Sequence, residues 1–430
     1  MLREIYTKIT VGCFVFLSYL IAGAVVSAQT PNQDYLSNEV IVKLNQASDL
    51  PAIAAQYGLD PQPIARFGGT AIYRLRVLGG ANVTQLVSRL RSDGANRVAY
   101  SEPNYKVGSP GASDVPWSLG GSWSIGGSWS IGGSTKGFSV QWMKQKINLP
   151  AAHLVSKGTN VKIAVIDTGI DLQHPLFAGK LLPGYDFVDN DSDPSETGTR
   201  SNAAYGHGTH VAGIVTMVAP DAKIMPLRVL DENGIGNVWR LAQAINYAVN
   251  PDGNINTNDG VDVINLSLGT PQRTTLITNL LEDRGHHRRD GNPPNPETPE
   301  VIVVAAAGNT GDSTKIYPAA ETVFGLIAVG ASTNADRLAS FSTRGYWVQM
   351  LAPGERIVSA IPGGRYGVWR GTSMSAPIVA GIAALVRAKY PNLSSEEVAR
   401  RVRYNSVPTD NYSLRRVDAQ KALLPNQMPF

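Results

Sequence analysis

Five continuous apolar runs mark the last two-thirds of the chain: VKIAVI (161–166), AKIMPLRVL (222–230), VDVINLSL (261–268), EVIVVAAA (300–307) and GLIAVGA (325–331). Between several of them lie segments with apolar residues at helical spacing, such as HVAGIVTMV (210–218) and VWRLAQAINYAV (238–249). Strands that are apolar on both faces and alternate with helices predict a mostly parallel sheet covered on each side, a three-layer, doubly wound α/β fold. Such a sheet offers its chemistry at the carboxyl ends of its strands.

The pattern changes towards the amino terminus. Glu39–Leu44 and Thr70–Val77 read as strands, Leu50–Tyr57 and Val83–Arg91 as short helices, and Val98–Tyr105 as a further extended run. This order predicts a small α/β unit with helices on one face of a sheet. Beyond it, Trp117, Trp123 and Trp129 open near copies of a six-residue Gly/Ser-rich unit. That composition reads as a flexible linker, with a tryptophan recognition strip as the alternative. At the start, Arg3 and Lys8 precede an uncharged stretch from Ile9 to Val26, and Val26-Ser27-Ala28 offers small residues. This reads as a secretory signal peptide cleaved after Ala28, against the alternative of an uncleaved membrane anchor. The expected organisation is a signal peptide at 1–28, a pro-unit at 29–107, a linker at 108–137 and a main domain at 138–430. No stable membrane anchor is expected.

Composition narrows the classes. Hydrophobic residues make up 43% and charged residues 17%, which suits a packed core and excludes global disorder. A net charge of +4 over 430 residues gives no argument for nucleic acid or an anionic membrane as partner. The one cysteine, Cys13, lies in the signal segment, so an exported product has no disulfide and no thiol chemistry.

Four segments carry candidate chemistry. Asp167 ends the first apolar run and is followed by Thr168-Gly169, which fits either a functional carboxylate or a turn aspartate. His207 and His210 lie in GHGTHVAG (206–213) at a helix start. Their H-x-x-H spacing has no carboxylate between the histidines and does not match the metal-binding H-E-x-x-H pattern, so His210 reads as a packed structural residue. Asn309 follows AAAG, where its amide is placed to donate to an oxyanion or simply to close a turn. Ser373 and Ser375 lie in GTSMSAP (371–377) before an apolar helix. Pro377, taken as a first-turn residue, puts Ser373 at the helix amino terminus, where free N–H groups favour negative charge. Ser373 is then a candidate nucleophile or an ordinary cap, with Ser375 as its competitor.

Taken together and in order, D-T-G, H-G-T-H-V-A-G, A-A-G-N-x-G and G-T-S-M-S-A-P resemble the subtilisin family of serine proteases over roughly residues 141 to 420. The resemblance implies a triad of Asp167, His207 and Ser373, with Asn309 and the Ser373 N–H binding the oxyanion. It implies that Ser267-Leu268-Gly269 pairs with substrate backbone and that Ile316 forms the base of the main specificity pocket. A branched side chain there shortens the pocket, and no acidic residue at that place supports a preference for basic residues. SEPNY (101–105) resembles the end of the family's inhibitory pro-domain. The expectation is a secreted or extracytoplasmic endopeptidase acting on proteins, with its own pro-domain as intramolecular inhibitor.

Calcium is the expected cofactor, though not at the family's usual place. His207 to Ile224 leaves no room for a calcium loop inside the helix, and Leu176 stands where the family has an aspartate ligand. The alternative is the acidic loop YDFVDNDSDPSE (185–196), with Asp186, Asp189, Asp191 and Asp193 as ligands of a structural calcium ion, against a solvated acidic turn. RGHHRRDGNPPNPETP (284–299) reads as an exposed insertion rather than a metal site at His286 and His287. Two further readings stay open: a catalytically silent peptide-binding protein, and a surface protein tethered through the Trp-Gly-Ser repeats.

Overall fold

The computed structural model describes residues 34–109, 134–254, 257, 259–284, 300–409 and 414–425. The signal segment with Cys13, the Trp-Gly-Ser repeats and the insertion with His286 and His287 lie outside the described residues. Among the described residues, no helix is long and apolar enough to cross a membrane.

The first part contains β1 (Tyr35–Leu44), α1 (Leu50–Tyr57), β2 (Ala65–Arg66), β3 (Ile72–Arg76), α2 (Val83–Arg91) and β4 (Val98–Gly108). Its strands form an antiparallel sheet in the order β2-β3-β1-β4. The run Val40-Ile41-Val42 is apolar on both faces of β1 because both faces are covered. Val40 and Val42 pack with Ile53, Leu86 and Leu90 of the two helices. Ile41 points the other way, into a cluster with Trp239 and Leu276 of the main domain. The helices therefore lie on one face, as the sequence pattern predicts, and the other face is an interface.

The second part begins with α3 (Thr135–Val140), α4 (Trp142–Lys146) and α5 (Leu149–His153). It continues with β5 (Lys162–Asp167), β6 (Tyr185–Asp186), α6 (His207–Val218), β7 (Lys223–Arg228), β8 (Ile235–Asn237), α7 (Val238–Val249), β9 (Val263–Leu266), α8 (Thr275–Arg284), β10 (Ile302–Ala306) and β11 (Leu326–Ser332). Then come β12 (Met350–Pro353), β13 (Ile357–Ile361), β14 (Arg365–Trp369), α9 (Thr372–Lys389), α10 (Ser395–Tyr404), β15 (Val407–Pro408), β16 (Arg415–Arg416) and α11 (Ala419–Leu423). A nine-stranded sheet runs β15-β16-β12-β11-β10-β9-β5-β7-β6, parallel except for the β15–β16 pair at one edge. Alternate residues of its strands feed two cores. Ile163, Val165, Ile302, Val304 and Ile327 pack with α6 and α9. Ala164, Ile166, Val303, Ala305 and Ala328 pack with α7 and α8. This is the three-layer, doubly wound arrangement, and it explains why the central strands read as unbroken apolar runs.

α6 runs without interruption from His207 to Val218, so no calcium loop divides it. Two expectations need revision. Pro377 is not in the first turn of α9; the helix starts at Thr372 and contains the proline in its interior. A proline there removes the N–H that would bond the carbonyl four residues back. That carbonyl belongs to Ser373, and the Ser267 hydroxyl donates to it instead at 3.0 Å. In addition, β4 continues through Gly108, and Ser109 is hydrogen-bonded beyond it, so strand structure extends past position 107 into the segment that composition marks as linker.

Gly213 tests the packing of α6. Glycine inside a helix costs about 1 kcal/mol relative to alanine, so Gly→Ala there is ordinarily stabilising. At this position an added Cβ would lie 2.3 Å from Ser359 Oγ and 3.0 Å from the Ala360 nitrogen and Cβ. The Ser359 hydroxyl is itself engaged, donating to the His210 carbonyl at 2.7 Å. Gly213→Ala is therefore expected to lower the melting temperature, the reverse of the propensity rule; a rise would show that β13 yields freely.

Candidate active site

Asp167 ends β5 at the carboxyl edge of the sheet, and His207 is the first residue of α6. The two segments close together because Gly208 has no side chain: a Cβ there would lie 2.1 Å from the Gly169 carbonyl and 3.1 Å from Asp167 Cβ. His207 Nδ1 lies 2.6 Å from Asp167 Oδ1. Asp167 is fully buried and His207 is 2% exposed. Asp167 Oδ1 also accepts the Thr168 N–H at 2.8 Å. An ionised carboxylate only accepts, so Nδ1 carries the hydrogen and the neutral ring presents the Nε2 lone pair.

Ser373 is the second residue of α9, where its backbone N–H has no carbonyl one turn back. Its Oγ lies 3.2 Å from the Ser267 carbonyl, to which it donates. Ser375, the competing serine, is turned inward, and its hydroxyl is within hydrogen-bonding distance of the carbonyls of Ala352, Pro353 and Gly371. That pattern makes it a packing residue.

Asn309 is oriented by Thr372. The Thr372 N–H and hydroxyl both donate to Asn309 Oδ1, at 2.9 and 3.1 Å, and Gly308 N–H bonds the same hydroxyl at 3.1 Å. The amide therefore faces Thr372 with its oxygen and turns its Nδ2 away. Asp167 Oδ2, His207 Nε2 and Asn309 Nδ2 are all buried without a hydrogen-bond partner. A fold rarely leaves such atoms unsatisfied.

His210 is fully buried and stacks on Trp369, with ring centroids 4.6 Å apart and planes 3° from parallel. Burial and then the neighbouring His207 push its pKa down to about 3, so it is neutral in the working range. The ring of His207 lies 6.1 Å from the same indole. Sequence reasoning did not find Trp369, because nothing in RYGVW marks the tryptophan as the wall behind both histidines.

Ser267, Leu268 and Gly269, expected to pair with substrate, are all buried, and Gly269 meets the end of β4. Gly108 and Gly269 exchange two backbone hydrogen bonds of 3.0 Å in antiparallel register. On its other edge β4 pairs antiparallel with β8, and Ser109 N–H donates to the Gly234 carbonyl at 3.0 Å. The end of β4 thus lies between β8 and the segment Ser267–Gly269, whose Ser267 is bonded to Ser373. Ile316 is 1% exposed. Its Cγ2 methyl lies 2.5 Å from a Cβ built on Gly269 and its Cγ1 methylene 2.7 Å from one on Gly308, so it packs tightly against both glycines.

Further contacts hold the first part on the second. Glu102 of β4, 2% exposed, accepts Thr275 N–H at 2.6 Å and Leu276 N–H at 3.1 Å, at the amino terminus of α8. Asn104 accepts Trp239 N–H at 3.2 Å at the start of α7. Phe67 meets the Trp239 ring edge-on at 5.8 Å.

The carboxylates expected as calcium ligands are engaged within the protein. Arg228, from the neighbouring strand β7, bonds Asp186 and Asp189, each at 2.5 Å. Asp186 Oδ1 takes the N–H groups of Val188 and Asp189. Asp191 Oδ1 accepts Asp193 N–H, and Asp193 Oδ1 accepts the N–H and hydroxyl of Ser195. Among the described residues, no group of three acidic, histidine or cysteine side chains is placed to hold a metal ion. Arg228 thus pairs with two of the four carboxylates, and backbone N–H groups of the turn bond the others.

Comparisons with known proteins agree with this geometry. The profile of the subtilase family matches residues 158–421, and that of the fervidolysin N-terminal prodomain matches residues 22–104. The chain is 36% identical over 376 residues to thermophilic serine proteinase of Bacillus sp. (strain AK1), covering 83% of this chain and 80% of that protein. It is 37% identical to thermitase of Thermoactinomyces vulgaris over 61% of this chain and 87% of that protein. Fervidolysin from Fervidobacterium pennivorans, described as a keratinolytic enzyme related to subtilisin, shares the fold, with a TM-score of 0.68 at 23% identity. The chain spans 61% of the fervidolysin chain, and 92% of this chain is covered.

The Thr372 bridge gives a direct test of the orphaned amide. Thr372→Val removes the hydroxyl that donates to Asn309 and accepts from Gly308, yet keeps the shape. Turnover is expected to fall about tenfold with KM unchanged, the size of one lost net hydrogen bond to a working group. Thr372→Ser should restore it. Equal turnover in all three forms would mean that the backbone N–H of residue 372 suffices to hold Asn309 and the hydroxyl does not orient it.

Proposed function

This chain belongs to the subtilase family, and we propose that it is exported as a zymogen and matures into an endopeptidase that cuts extended polypeptides through an acyl-enzyme on Ser373. It is a serine protease with an N-terminal prodomain. The observation that carries the mechanism is a pair of buried, unsatisfied atoms at the sheet edge, His207 Nε2 and Asn309 Nδ2: acyl transfer uses the first as base and the second as oxyanion donor.

In this reading, Ser373 Oγ turns from Ser267 to His207 and gives up its proton to Nε2 as it attacks the carbonyl carbon. Asp167 holds the imidazole in the required tautomer and stabilises the imidazolium. The oxyanion takes hydrogen bonds from Asn309 Nδ2 and the Ser373 N–H. In subtilisin, to which the figure belongs, loss of one such donor costs about 10²–10³ in turnover. His207 then protonates the leaving amine, and water repeats the sequence on the ester.

The backbone of Gly269 and the edge of β8 recognise main chain, so the substrate is any segment able to lie extended. Ile316 beneath the strand limits the pocket to small or medium side chains. The prodomain holds the same groups through Gly108 and is the inhibitor. Self-processing then falls beyond Ser109, which is still bonded to Gly234 in the cleft. Export rests on the amino-terminal charge and apolar pattern.

Incubation of the wild-type precursor is expected to yield a new amino terminus between positions 110 and 140. The Ser373→Ala precursor should stay uncut, and only the wild type should react with a fluorophosphonate probe. Cleavage of the Ser373→Ala protein at the same bond would assign maturation to another protease. Residues 29–109, added separately, should inhibit the mature enzyme. Glu102→Ala should weaken that inhibition by about 10- to 100-fold, as befits charge-assisted bonds to two N–H groups.

A further inference from the structure

The mechanism leaves one carboxyl beside the Asp167–His207 pair without a task. α6 begins at Gly206, which has positive φ and no side chain to cap the helix. Its first-turn N–H groups find partners elsewhere. His207 N–H bonds the Ala204 carbonyl at 2.9 Å, and Gly208 N–H bonds the Thr168 hydroxyl at 2.9 Å. Thr209 N–H and hydroxyl both bond Glu196 Oε2, at 3.2 and 2.8 Å, and the Gly206 N–H is also directed at this carboxyl. Glu196 itself is tied to the exit of β5, its N–H donating to the Ile170 carbonyl at 3.0 Å. The Thr209 hydroxyl extends the chain by accepting Asp171 N–H at 2.9 Å. One side chain thus joins the segment after Asp167 to the helix that starts with His207. Its second oxygen, Oε1, is buried without a hydrogen-bond partner.

We propose that Glu196 is a positioning residue for the catalytic pair: its carboxylate caps α6 in place of Gly206, fixes His207 against Asp167, and adds a second anion behind the imidazolium formed during acyl transfer. The proposal rests on the triad reading above. Burial, and then the charge of Asp167, raise the pKa of Glu196 to about 7, against the opposing bonds from Thr168, Thr209 and Gly206. The other charged or titratable groups around it are Asp171 and Tyr205, which share a cavity of about 580 Å³ with it, and Arg200, which faces Tyr205. The sign for stability follows. A carboxyl with a raised pKa in the fold favours folding while protonated, and that contribution is lost as pH rises from the ordinary glutamate range through about 7. Ionised Glu196 thus costs stability above a pH of about 7.

Glu196→Gln separates the two roles, since the amide oxygen still accepts from Thr209 but carries no charge. Mature wild type and variant, both processed with added wild-type enzyme, are to be compared from pH 5 to 9, with active sites counted by the fluorophosphonate probe. Failure of the wild type to label would end the triad reading; the rest of the experiment tests Glu196 alone. In the variant, kcat is expected to fall about 3- to 10-fold at pH 8 with KM unchanged. The acid limb of kcat should move to lower pH and become shallower, because one anion facing the imidazolium and one ionisation are gone. The melting temperature at pH 8 should equal or exceed that of wild type. Glu196→Asp, which keeps the charge but shortens the reach, should keep the wild-type limb and lose melting temperature. Unchanged kcat and pH profile in the glutamine variant would overturn the proposal. So would a parallel loss of stability and activity, which is what a purely structural carboxyl predicts.

Discussion

The bond between Asp167 and His207 depends on two segments from different layers meeting with almost no space between them. β5 ends in a buried carboxylate, and α6 starts in a buried imidazole. Neither polar group tolerates burial alone, since a buried hydrogen-bonding group without a partner costs about 1–3 kcal/mol. Each satisfies the other, but only because Gly208 lets the helix start reach the Gly169 carbonyl. The contact also orders what surrounds it. Thr168 turns its N–H to Asp167 and its hydroxyl to Gly208, so one residue serves both the strand end and the helix start.

A second constraint lies in α9. Pro377 leaves the Ser373 carbonyl without its intrahelical donor, and the Ser267 hydroxyl takes that place. In return the Ser267 carbonyl receives the Ser373 hydroxyl. The strand that pairs with main chain is thereby joined to the helix that carries the nucleophile by two reciprocal bonds. A helix with an ordinary residue at 377 would offer the Ser373 carbonyl an intrahelical donor that competes with Ser267. The family motif G-T-S-M-S-A-P therefore carries a packing requirement together with its chemistry.

These cases show what was legible in the sequence. The central strands were, because burial on both faces forces continuous apolar runs, and Ile163 and Ala164 do enter opposite cores. Candidate site residues could be named because turns and glycine-flanked motifs mark strand ends and helix starts along the chain itself. Contacts between distant segments were not legible. Asp186 and Asp189 read as calcium ligands from their spacing alone; their partner, Arg228, comes from the next strand, 42 and 39 residues away. The composition of residues after 107 hides the pairing of Gly108 with Gly269, because glycine suits a close antiparallel contact as well as a loop. Glu196 belongs to an acidic surface loop by sequence, and only the position of Thr209 turns its carboxyl inward.

The geometry also separates recognition from retention. In the cleft, β4 is held through backbone groups at Gly108 and Ser109, which any extended chain possesses. A cleft built that way cannot distinguish the prodomain from a substrate. The difference lies outside it, where Glu102 and Asn104 satisfy N–H groups at the starts of α8 and α7 and Phe67 covers Trp239. Those helix ends offer partial positive charge and open donors, and a buried carboxylate bound there is worth more than a backbone pair. Cutting the chain near Ser373 leaves all of these contacts intact. In the proposed maturation, the prodomain's departure is therefore governed by the two helix termini rather than by the catalytic residues.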